Sequence, residues 1–179
     1  MMRPAGPVYA HVPEGDNRAR MVCRDCGFIN YVNPKIVVGA VCLWDDLILM
    51  CRRAIEPRKG YWTIPAGYLE VHEGTEQGAH REAFEEAGAR IKIEGLLAVY
   101  ALTHLSQVQL IYRARLADPN INPGPESMEA CLLRWDEIPW DDIAFASVRW
   151  ALDRHREVQN QATFLPATNP PGARGGASA

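Results

Sequence analysis

The alternation of apolar and polar positions divides the chain into strands and helices separated by Pro- and Gly-rich loops. Lys35–Trp44 and then residues 47–51 read as two apolar strands around the short polar turn Asp45-Asp46, which predicts a hairpin. Residues 62–67 read as a shaped loop in which Pro65 and Gly67 exclude a regular element. Thr75–Ala87 is rich in helix formers, with Thr75 as candidate N-cap and Gly88 at the expected helix end. Strands are predicted over residues 96–102, 108–116 and 131–135. In the second of them Val108, Leu110, Tyr112, Ala114 and Leu116 share one face. A closing helix is predicted from about residue 143 to 158, because Val148, Ala151, Leu152 and His155 recur at helical spacing.

Three segments follow from this pattern. Residues 1–34 form an N-terminal arm whose first twenty residues lack apolar periodicity. Residues 35–158 form one domain, and residues 159–179 predict a disordered tail with Phe164 and Leu165 as candidate anchors. The total of 179 residues suffices for one well-buried core and not for two.

Composition narrows the function classes. The chain is 47% hydrophobic and 23% charged, as in ordinary globular proteins. Its 19 basic and 22 acidic residues give a net charge of -3, so no global basic field gathers nucleic acid. No apolar run approaches the roughly 20 residues of a membrane helix, and the first residues lack the apolar segment of a secretory signal. Five cysteines, an odd number, fit a reducing compartment, and the expectation is a cytoplasmic protein without a membrane partner.

The chemistry concentrates between Gly67 and Gly88, where Glu70, Glu73, Glu76, Glu82, Glu85 and Glu86 stand. Positions three and four apart share a helix face, so Glu82, Glu85 and Glu86 form one acidic patch. Like charges at that spacing repel, and Arg81 is the one strong cation nearby. A divalent cation is the natural counterion, and hard carboxylate oxygens without His or Cys suit Mg²⁺ or Mn²⁺ with phosphate-bearing substrates. Ala79, Ala83 and Ala87 are expected to pack against a sheet while the carboxylates look outward into a cleft.

The string GYLEVHEGTEQGAHREAFEEAGA, residues 67–89, resembles the Nudix box: Gly, five residues, Glu, seven residues, Arg-Glu, two residues, Glu-Glu, one residue, Gly. Gly67, Glu73, Arg81, Glu82, Glu85, Glu86 and Gly88 fill every fixed position. The resemblance implies a Nudix α/β/α sandwich with a mixed sheet, and a hydrolase of nucleoside diphosphate derivatives. It implies that Glu82, Glu85 and Glu86 hold metal, that the Ala66 carbonyl is a further ligand, and that Glu73 and Arg81 pair to fix the loop on the helix. It further implies that the general base is one of the box glutamates or a later loop glutamate, and that Glu126 or Glu129, on a Gly/Pro loop, brings an additional carboxylate to the metals.

Outside the box, Arg52, Arg53 and Arg58 are candidates to face a diphosphate, and Tyr68 or Phe145 to face a base. The stretches NPKIVVG, WTIPAGYLE, PGPESMEA and DEIPWDDIAFAS resemble a zinc-ribbon-bearing Nudix group of ADP-ribose/FAD pyrophosphatases. Alternatives are an NADH pyrophosphatase, a hydrolase of nucleotide-capped RNA, and a nucleotide-binding Nudix sensor without turnover. The short zinc-ribbon-like element supplies Cys23 and Cys26 as a candidate Zn²⁺ knuckle, half of a four-ligand site. The missing half would come from His11, the partner chain of a homodimer or a preceding segment. Cys42, Cys51 and Cys131 read as small core hydrophobes.

Overall fold

The computed structural model describes residues 6–173 and divides the chain into two compact units, Met1–Pro34 and Lys35–Ala179. The first holds an antiparallel sheet in the order β1 (Pro7–His11), β2 (Arg20–Cys23) and β3 (Ile29–Asn30). β1 falls in the segment expected to be irregular. Its residues are solvated on both faces, so burial imposes no period of two on its sequence.

In the second unit the elements run β4 (Lys35–Trp44), β5 (Leu47–Arg53), β6 (Trp62–Thr63), β7 (Ala66–Tyr68), α1 (Thr75–Ala87), β8 (Ile91–Leu102), β9 (Gln107–Leu116), β10 (Ser127–Leu133) and α2 (Ala146–Val158). The sheet order is β10-β5-β4-β9-β8, with β6 beside β5 and β7 beside β4. β4 and β9 are parallel and the other pairs antiparallel, so the sheet is mixed. Asp45 and Asp46 form the two-residue turn between β4 and β5, with Asp45 at positive φ.

Each face of the sheet carries one helix. Tyr112, Ala114 and Leu116 of β9 join Ala40, Cys42, Leu49 and Cys51 against Ala79, Ala83 and Ala87 of α1. Ile111 points the other way and packs with Val41, Leu43, Met50, Leu97 and Tyr100 against Val148, Ala151 and Leu152 of α2. The result is an α/β/α sandwich. Cys42 and Cys51 are fully buried, as expected of core hydrophobes, and Cys131 is half-buried.

Four expectations change. Residues 62–68 contain two short strands, β6 and β7, split at Pro65 because each pairs with a different neighbour. The N-cap of α1 is Gly74, not Thr75. The Gln77 side chain accepts from the Gly74 amide at 2.8 Å, and the Thr75 hydroxyl is used instead on Tyr112 Oη at 2.7 Å. α2 starts at Ala146, since Ile143 is extended and bridges Trp62.

The fourth change concerns residues 159–173, which are not a free tail. Ala167 exchanges hydrogen bonds with Leu97 and Val99 (3.0 and 2.8 Å), and the Asn169 carboxamide pairs with both backbone groups of Ala101 (2.8 and 3.0 Å). Phe164 is the apolar anchor, beneath Arg113 at 4.2 Å, whereas Leu165 is exposed. The remainder of the expected tail, residues 174–179, lies outside the described residues.

Candidate active site

Along α1 two stripes are buried side by side. Gly78, Glu82 and Glu86 form one, and Ala79, Ala83 and Ala87 the other. Successive residues on a helix are about 100° apart, so a carboxylate following Arg81 and preceding Ala83 cannot lie opposite the alanines. This corrects the expectation of an outward-facing acidic patch. Of the three only Glu85 is solvated, and Glu82 and Glu86 are buried, Glu82 against Gly67 of β7.

Arg81 organises the surroundings of these carboxylates. Its Nε and Nη2 donate to Glu73 Oε1 and Oε2 at 2.8 and 3.0 Å, Nη2 also to the Tyr68 carbonyl at 3.0 Å, and Nη1 to Glu82 and Glu85 at 2.7 and 2.9 Å. The guanidinium thus ties the loop that precedes α1 to the helix, and it holds the Glu73 carboxyl below its ordinary range. Glu82 is pushed the other way by burial, against the pull of Arg81.

Glu86 is the extreme case. Burial, reinforced by Glu82, raises its carboxyl to about 8, although Arg53 and the Ala66 amide N–H oppose the shift. Its Oε2 is buried and has no hydrogen-bond partner. Ala66 therefore stands at the carboxylates, presenting its amide to Glu86.

The loop glutamates separate. Glu126 acts electrostatically on both Glu82 and Glu86, whereas Glu129 faces Arg52 at 4.0 Å with both side chains about half exposed. The loop is fastened to the end of α1: Asn122 and Gly124 donate to the Ala87 and Glu86 carbonyls at 2.8 and 3.0 Å. A Cβ on Gly124 would stand 1.7 Å from the Glu85 carbonyl oxygen, so only glycine allows this approach. Gly124 was not singled out from sequence, where PGP signals a turn and not what the turn touches.

Arg52 and Arg53 shape the loop between β5 and β6, donating from Nε to the Gly60 and Pro57 carbonyls, each at 2.9 Å. Arg53 also covers the ring of Phe145 at 5.1 Å, and Arg58 lies over Tyr61 at 5.3 Å. Tyr68 is exposed, with Lys35 over its ring at 4.8 Å and Gln107 donating to its hydroxyl at 3.1 Å. Phe145 and Tyr68 thus each face a cation.

A divalent metal suits the donors around α1. They are hard oxygens, one of them buried and bare, and the absent side chain of Gly67 leaves the room that the Glu82 carboxylate occupies, 2.3 Å from where a Cβ would stand. Among the described residues no three acidic, His or Cys side chains already converge on one point, because Arg81 draws Glu82 and Glu85 to itself. The N-terminal unit differs. Cys23 is buried and Cys26 exposed, and His11 pairs across the sheet with Arg20 instead of reaching the cysteines.

A family model described as the NUDIX domain matches residues 33–153, and the chain belongs to the Nudix hydrolase family. A second model, the Nudix N-terminal zinc ribbon, matches residues 5–32. The crystal structure of a NUDIX hydrolase from Nitrosomonas europaea is 44% identical, with a TM-score of 0.85, over 90% of this chain and 93% of that one. An ADP-ribose pyrophosphatase from Methanocaldococcus jannaschii is 35% identical over 61% of this chain and 67% of its own length. An NAD-capped RNA hydrolase NudC from Stutzerimonas stutzeri is 30% identical over 83% of this chain, which spans 51% of that relative's length. Among the described residues no helix is long and apolar enough to cross a membrane.

Proposed function

We propose that this protein hydrolyses the pyrophosphate bond of a nucleoside diphosphate derivative, ADP-ribose foremost and FAD next, giving AMP and a phosphorylated product. The carrying observation is the buried stripe of Glu82 and Glu86, whose Oε2 is bare, with Glu126 brought alongside. Like-charged carboxylates out of water are costly unless a cation joins them. Glu82, Glu85, Glu86 and the Ala66 carbonyl are the groups that would hold Mg²⁺ or Mn²⁺. Such an ion supplies charge neutralisation at the diphosphate and a water of lowered pKa.

The chain's own residues do the rest. Arg81 anchors the loop through Glu73 and keeps Glu82 and Glu85 within one guanidinium's reach. Glu126 is the glutamate we assign to accept the proton of the attacking water, since its loop is pinned to α1 while Glu129 is engaged with Arg52. We assign Arg53, which acts electrostatically on Glu86, to meet substrate phosphate.

The ADP-ribose reading draws on the archaeal relative. The NudC relatives favour a second one, in which the same site cleaves NAD(H) or NAD-capped RNA. Both are decided by incubating the protein and Mg²⁺ with ADP-ribose, FAD, NADH and NAD-capped RNA. AMP released fastest from ADP-ribose or FAD is expected. Faster cleavage of NADH or capped RNA selects the second reading, and no cleavage with either Mg²⁺ or Mn²⁺ rejects both.

A further inference from the structure

The N-terminal unit matches a zinc-ribbon family, yet its residues do not fit the metal. A closed structural zinc takes four ligands, and residues 1–34 offer Cys23, Cys26 and His11 as thiol or imidazole donors. Residues 1–6, which lead into β1, contain no Cys, His, Asp or Glu. The strand register sets Pro7 opposite Cys23 and His11 opposite Arg20. That places His11 roughly three strand residues, about 10 Å, from the cysteine end, and its ring is stacked with Tyr9 at 5.8 Å.

Other contacts stand where a metal would cross-link the ribbon. The turn closes on its backbone, Gly27 N–H donating to the Cys23 carbonyl at 2.9 Å and Cys23 N–H to the Phe28 carbonyl at 2.8 Å. Arg24, inside the Cys-x-x-Cys turn, lays its guanidinium over the Tyr9 ring of β1 at 4.2 Å. Arg20 bonds Asp16 at 2.9 Å and covers Tyr31 at 5.2 Å, which ties β2 to the segments on either side. The turn and β1, which a four-thiolate site would join through metal, are joined here through a cation on a ring.

We propose that the ribbon of this chain is free of zinc, fastened by Arg24 on Tyr9, and that Cys23 and Cys26 form a dithiol that closes reversibly to a disulfide with small-molecule disulfides. Cys26 is exposed and Cys23 buried, three residues apart in one turn that the Gly27-to-Cys23 hydrogen bond closes at 2.9 Å. The backbone of Cys26 and Asp25, and then the Cys26 thiol, draw the Cys23 thiol below its ordinary range. Cys26 thiolate attacks one sulfur of RSSR, forming Cys26–SR and releasing RS⁻. Cys23 thiolate then attacks Cys26 Sγ and releases the second RS⁻. Two protein thiols are oxidised by two electrons, one RSSR is reduced to two RSH, and the two thiol protons end on the released thiols.

The full chain, purified without added metal, is measured for zinc and then treated with oxidised glutathione and weighed intact. The expected result is background zinc and a loss of two hydrogens without adduct, reversed by dithiothreitol. Cys23→Ser should instead trap one glutathione on Cys26, and Cys26→Ser should take up none at the buried Cys23. Arg24→Gln should speed hydrogen exchange of the β1 amides in the otherwise folded chain, and a zinc chelator should leave that exchange unchanged. One zinc per chain overturns the proposal, as does one zinc per two chains, which would place four thiolates between two copies. A metal-free protein whose cysteines acquire glutathione without closing to a disulfide overturns the dithiol.

Discussion

The two faces of the central sheet bury titratable groups of opposite sign, Arg113 and Glu86, and treat them differently. On the α2 face Arg113 is 4% exposed and its charge is compensated: Nε stands 2.7 Å from Glu94 as an ion pair, though without a hydrogen bond, and the guanidinium donates to the carbonyls of Val158 and Gln161 at 3.0 and 2.9 Å, at and just past the end of α2. On the α1 face Glu86 is 7% exposed, Glu82 and Glu126 act on it against Arg53 and the Ala66 amide, and Oε2 is bare. The neighbouring His155 on the α2 side stays neutral at physiological pH, its pKa pushed down to about 4 by burial and then by Arg113. One face thus satisfies its buried charge within the fold. The other holds a carboxyl that burial keeps protonated up to about 8, with Oε2 bare, and that a bound cation would ionise.

The sharpest way to break this contrast is to remove the satisfied charge. Arg113→Met should lower folding stability by about 3 kcal/mol, within the range for stripping one partner from a buried pair, because the α2 carbonyls lose their donors. Denaturant unfolding reads this. A variant as stable as the parent would mean that Arg113 contributes packing alone.

Removing the unsatisfied carboxyl should do the reverse. Glu86→Gln should cut turnover by ~10²-fold or more, the scale of one strong electrostatic contributor, without loss of stability. The pH dependence follows from linkage. In the metal-free protein the folded state holds the Glu86 proton up to about 8, the unfolded chain only to the ordinary 4.5. This contribution to stability is therefore complete below about 4.5 and lost as pH rises through about 8. Melts in chelator should show stability falling across that window, and Glu86→Gln should flatten the slope. A slope that survives the substitution would assign the proton elsewhere.

The smallest effects concern the loop glutamates. Glu126→Gln should lower turnover by roughly tenfold or more, as expected for loss of a general base. Glu129→Gln should leave it within about twofold and cost no more than about 1 kcal/mol, since its partner Arg52 is solvated. Equal losses in the two variants would show that sequence proximity, and not the tether to α1, governs the site.

Much was legible because it is local. The hairpin at Asp45-Asp46, the core face of β9 and the spacing that puts Glu82 and Glu86 on adjacent turns of α1 all follow from backbone periods of two and 3.6 residues. The intact box spacing identified the family for the same reason, since its residues lie within one loop and one helix. The outward-facing expectation for the carboxylates fails on the same period, because Glu82 and Glu86 stand only about 100° from the buried Ala83 and Ala87. Three other features were decided only in three dimensions: Gly124 against Glu85, Arg113 against the end of α2, and Ala167 beside Leu97. Each joins residues tens of positions apart, and such contacts are fixed by which surfaces the packed sheet brings together, a property that no window of sequence carries.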